Sequence, residues 1–107
     1  MSTVIVPTLV FGCDFDAQTA YEVELKGWFE AVVVRLPSGL EVPLSFRDPT
    51  RLVQDLETEL AAGRTCVAEP VMIVIPKVTR DNMNAAVMQI YHEGFFDRLV
   101  AVGRHES

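Results

Sequence analysis

Two carboxylates stand one residue apart in Asp14-Phe15-Asp16, directly after a run of apolar residues. Paired carboxylates at a strand end could hold a divalent cation, or divide the work of nucleophile and general acid/base. A small enzyme or ligand-binding domain would use Asp14 and Asp16 in this way, in a cleft at a dimer interface. The bland role for both is turn or helix cap, since Asp bonds readily to nearby backbone amides. The surrounding residues favour that role. As a calcium loop the stretch fails, because Thr19 replaces the turn glycine and Leu25 stands where the bidentate Glu belongs.

The same stretch loosely resembles the first motif of haloacid-dehalogenase-type phosphatases, an Asp-x-Asp at a strand end followed two residues later by Thr or Val. The resemblance implies a nucleophilic Asp14 and an acid/base Asp16 beside Mg²⁺. It covers about six residues. Gln18 occupies the Thr or Val position, no later strand ends in paired carboxylates, and the chain is too short for that fold.

Other reactive side chains stand alone. Cys13 and Cys66 have neither metal-ligand spacing nor a Cys-x-x-Cys pattern, and read as reduced, partly buried thiols. His92 falls near a helix end, where a cation interacts favourably with the helix dipole. His105 is in the tail. Neither histidine has a partner at ligand spacing, and the glycines are dispersed without a phosphate loop. We expect no catalytic residue, no metal and no cofactor. Leu9-Val10-Phe11-Gly12-Cys13 loosely matches a lipoprotein cleavage box, but no Lys or Arg precedes it and Pro7 interrupts the apolar run.

Contact residues are better represented than reactive ones. Trp28-Phe29 is a candidate interface anchor, since aromatic residues dominate binding hot spots. Asp55 and Glu59, with Glu57, form an acidic helix face that could dock a basic partner. Their bland roles are core packing for the aromatics and solvation for the acids.

The elements that must position these residues follow from periodicity. Val71 to Ile75 is unbroken and apolar between Pro70 and Pro76, which predicts a central strand covered on both faces. Strands are also expected over Thr3–Phe11, Tyr21–Leu25, Trp28–Leu36 and Leu40–Phe46, the last three as a meander. For Tyr21–Leu25 a short helix from Asp16 is the rival. Pro43 places the Leu40–Phe46 strand at an edge or a bend. Asp48-Pro49 opens a helix with Leu52, Val53, Leu56 and Leu60 on one stripe, and Gly63 ends it. Thr79 opens a second, with Met83, Ala86, Val87, Ile90 and Tyr91 on one side and Gly94 at its end, Phe95 packing back on Ile90. Phe96–Val102 is a possible last strand, and 103–107 a frayed tail. The order β-βββ-α-β-α, with a possible final β, predicts one α+β domain over 1–107. It would have five to six mostly antiparallel strands and two helices on one face.

The totals bound function. The chain has 107 residues and a net charge of −6, with 50% hydrophobic and 22% charged residues. That acidity disfavours nucleic acid and anionic membranes as partners, and no apolar run is long enough to span a bilayer. The cysteine usage and missing leader predict a cytoplasmic protein. Two strands look apolar on both faces, yet two helices cover only one. A homo-oligomer, most simply a dimer, or another protein would cover the rest; a curled, barrel-like sheet is the alternative. The reading is a small acidic, non-catalytic interaction module, of adaptor, inhibitor or immunity type.

Overall fold

The structure, a computed structural model, describes residues 6–99. It is α+β, with strands β1 (Thr8–Phe11), β2 (Trp28–Arg35), β3 (Glu41–Arg47) and β4 (Met72–Val74). Helix α1 (Ala17–Lys26) follows β1, α2 (Pro49–Ala61) joins β3 to β4, and α3 (Arg80–His92) follows β4. Residues 95–99 are helical again. The strands form one mixed sheet in the order β1-β2-β3-β4, antiparallel except for the parallel β3–β4 pair. The described residues thus hold four strands and three helices plus the 95–99 turn. Five to six mostly antiparallel strands and two helices were expected.

Three elements differ from the expectation, each for a local reason. Tyr21–Leu25 belongs to α1, because a cap and a stop outweigh five residues of alternation. Asp16 Oδ1 accepts the Thr19 amide at 2.8 Å, and Gly27 ends the helix at φ 77°. Val71–Ile75 does not form the centre of the sheet. Prolines bracket it, only Met72–Val74 pair, and β4 is an edge strand with Val74 exposed. Finally, Phe96–Leu99 is helical, and the rest of that expected strand lies outside the described residues, as do Thr3–Ile5 and the tail. Gly94, at φ 79°, turns the chain, and its carbonyl accepts the Arg98 amide at 3.1 Å. The turn buries Phe96 and leaves Phe95 exposed.

The core lies on one face of the sheet. Residues paired across strands share a face, so Val32, Val34, Val42, Leu44 and Phe46 point inward together. Val23 of α1, Met83 and Val87 of α3, and Phe96 close over them. The α3 stripe read from the sequence is the one that packs. α2 contributes no residue to this core.

The opposite, outer face has no helix packed on it through apolar side chains. Glu30 and Ala31 of β2 stand where β3 offers only Ser45, a β-bulge between Phe29 and Val32. The bulge lets both Phe29 and Val32 point inward, while Glu30 and Ala31 face out. Val10, Ala31, Val33 and Pro43 line a hollow of about 310 Å³ on this face. Pro43 is tolerated in an interior strand because β4 reaches only Ser45–Arg47. The Ser45 amide donates toward β4, to Val71 O at 3.2 Å. At Pro43 that side has no neighbouring strand, so no ladder bond is lost.

Among the described residues, no helix is long and apolar enough to cross a membrane.

Candidate functional site

The outer face ends in a cleft built around Arg47. Asp48 caps α2 by accepting the Arg51 amide at 2.7 Å, and its own amide donates to Gly27 O at 2.9 Å. A side chain at Gly27 would meet the Asp48 carboxylate at 2.5 Å, so this glycine lets α2 start close to β2. α2 then runs with Arg51, Asp55, Thr58 and Glu59 toward the cleft.

Arg47 is only 5% exposed. Burying an unpaired guanidinium costs several kcal/mol or more, so its donors must be engaged. They are. Nε donates to Asp55 Oδ2 at 3.0 Å, and Nη1 to Ser45 Oγ at 2.7 Å and Phe46 O at 3.2 Å. Nη2 donates to Glu69 Oε1 at 2.7 Å and more weakly to Glu30 Oε1 at 3.4 Å. Ser45 Oγ in turn donates to Glu69 Oε2 at 2.8 Å. Arg51 Nε donates to Asp55 Oδ1 at 2.9 Å, so one carboxylate ties two guanidiniums together. Both stack near the Trp28 ring, with Cζ 5.8 Å and 5.6 Å from its centroid. Glu59, at the far end, pairs with Arg64. The cleft encloses about 310 Å³.

This arrangement is a polar layer where apolar packing is usual between a helix and a sheet. It fixes the side of α2 that faces the sheet. The residues at the cleft lie on the polar side of the helix; Val53, Leu56 and Leu60 lie on the other, at 3.6 residues per turn. These three are 54%, 39% and 54% exposed, and no α2 residue is buried. Leu52 is half-buried, and the helix presents the other three residues of its apolar stripe to solvent.

Of the candidate interface residues, the structure brings Trp28, Asp55 and Glu59 into this cleft. Phe29 is elsewhere, buried in the core with Phe15 and Phe11 at ring distances of 5.3 Å and 5.9 Å. Asp14 is exposed, and Asp16 spends its carboxylate on the α1 cap. The Thr19 backbone amide holds that carboxyl below its ordinary value by favouring the charged form. Cys13 and Cys66 are free and exposed, not partly buried, and Cys66 lies in the loop after α2 and not in a strand. His92 is exposed at the end of α3. Among the described residues no three His, Cys, Asp or Glu side chains converge as a metal site would require.

Arg47, Ser45, Glu69 and Glu30 were not singled out from sequence. Ser45 and Arg47 alternate with Leu44 and Phe46, which was signal enough to put them together on the outer face. Nothing in the sequence tied Glu69, more than twenty residues away, to them.

Comparison with protein-family models, curated proteins and solved structures found no match.

Proposed function

We propose that this protein is a small, acidic, non-catalytic interaction module, working as a homodimer or as a subunit of a complex, in the manner of an adaptor, inhibitor or immunity protein. One observation carries the reading: α2 is anchored by its polar side and holds Val53, Leu56 and Leu60 out to solvent. An apolar stripe on a helix is a contact surface wherever no core receives it. The arginines and carboxylates of the cleft satisfy one another, which suits a scaffold more than a reaction centre.

The test is association with and without the stripe. Wild-type protein and Leu56→Glu are compared by light scattering over a dilution series, and as baits in lysate of the native host. The expected result is an assembly, or a retained protein, that wild type forms and Leu56→Glu loses while staying folded by circular dichroism. Equal behaviour of the two would overturn the reading.

A further inference from the structure

We infer that β4 is a strap, fixed at one end and latched at the other. The contact of Glu69 with Arg47 is the latch, and its release lets the Val71–Met72 end lift from β3 while the rest of the fold stays closed. The far end is fixed. Ile75 and Val78 are buried, and the Ile75 amide donates to Arg47 O at 2.9 Å. The near end has no such fixture. β4 is three residues long, and residues 62–71 before it form neither helix nor strand. Residues 62–66 are exposed, so the chain leading into the strap has room to move.

Val71 biases the strap toward opening. Its φ is 51°, and among the described residues no other non-glycine residue has a positive φ. A β-branched side chain in the left-handed region is strained, and such a conformation persists only where its surroundings hold it. Upstream, Glu69 holds it by accepting from Arg47 Nη2 at 2.7 Å and from Ser45 Oγ at 2.8 Å. Pro70 lies between, with a fixed φ, so a shift of Glu69 is passed on to Val71. The Val71 carbonyl accepts the Ser45 amide at 3.2 Å, and its half-buried side chain packs at the margin of the core. Without the Glu69 carboxylate, the strain is opposed only by that one neutral hydrogen bond and the half-buried side chain. Once the strap lifts, the Ser45 end of β3 becomes a sheet edge with an unpaired backbone.

The experiment is native-state hydrogen exchange, read residue by residue by NMR. The Ser45 amide reports the latched end and the Ile75 amide the fixed end. In wild type, Ser45 should be about 100-fold less protected than Ile75, because it exchanges by local opening. Glu69→Gln keeps the shape of the side chain and removes its charge. Ser45 protection should then fall a further 10-fold or so, the difference between a charged and a neutral hydrogen bond, while Ile75 stays within about two-fold of wild type. Val71→Gly and Val71→Ala isolate the strain, since both remove the side chain beyond Cβ. In ordinary extended backbone Gly is the worse of the two by about 2- to 5-fold. At Val71 the order should reverse, with Ser45 about 5-fold better protected in Val71→Gly than in Val71→Ala. Equal protection of Ser45 and Ile75 in wild type, or equal loss at both in Glu69→Gln, overturns the inference. So does a Val71→Ala variant that protects Ser45 as well as Val71→Gly. If Glu69→Gln does not fold by circular dichroism, the wild-type comparison and the two Val71 variants still decide.

Discussion

α2 and α3 are each thirteen residues long, each opens at a side-chain cap, and each carries an apolar stripe. Their fates are opposite. α3 buries Met83 and Val87 completely against the inner face of the sheet. α2 buries nothing and turns Arg51 and Asp55 to the sheet. Periodicity states which side of a helix could be buried; the surface that receives the helix decides whether it is. The inner face offers Leu44 and Phe46, whereas the outer face at the same end of β3 offers Ser45 and Arg47. A buried arginine accepts only a polar helix side, so α2 docks reversed.

The contrast predicts unequal responses. The largest belongs to α3. Met83→Ala removes a fully buried side chain and should cost about 3–4 kcal/mol, the middle of the range for Met or Leu truncation in a core. Denaturant unfolding measures it, and a loss below 1 kcal/mol would mean that α3 is no better seated than α2. Next comes the anchor of α2. Arg47→Ala leaves Asp55 and Glu69 without their shared partner and should cost about 3 kcal/mol, the low end for a broken buried pair because both carboxylates keep some access to water. Hydrogen exchange should then speed in α2 and stay unchanged in α3. Arg47→Lys should not restore it, since an ammonium lacks the planar fork that reaches Asp55, Ser45 and Glu69 at once. Faster exchange in both helices would show that the polar layer supports the whole fold.

The same contrast marks what a reader of the sequence could see. Both long helices were legible with their caps, since Asp48-Pro49 and Thr79 are local signals and the stripes follow one period. The α+β class was legible too. Sheet order was not, because an apolar run such as Val71–Ile75 looks alike in a central strand and in an edge strand whose outer side lies open. Tyr21–Leu25 was ambiguous because Glu22 and Glu24 suit either period; the Asp16 cap decided it. The candidate site was half legible. Trp28, Asp55 and Glu59 were noticed for their types, but the arginine that gathers Asp55 and Trp28 belongs to no motif. Its role depends on three carboxylates from β2, α2 and the loop before β4 converging in space. Convergence of that kind has no sequence period.

The smallest effect sharpens the comparison most. Leu60→Lys alters a stripe residue that is more than half exposed. In the monomer it should change stability by no more than about 0.5 kcal/mol, as for a surface substitution. If the stripe is covered in an assembly, a second contribution appears by mass action, because anything that binds only the folded state raises its apparent stability with concentration. Wild-type melting temperature should then climb as protein concentration rises, while that of Leu60→Lys stays flat. At the lowest concentrations the two should melt together. An Ala substitution of Met83 would lower the whole wild-type curve and keep its slope; Leu60→Lys would remove the slope and keep the intercept. A Leu60→Lys curve that falls at every dilution would place the stripe inside the fold of the monomer, and α2 would then be a helix like α3.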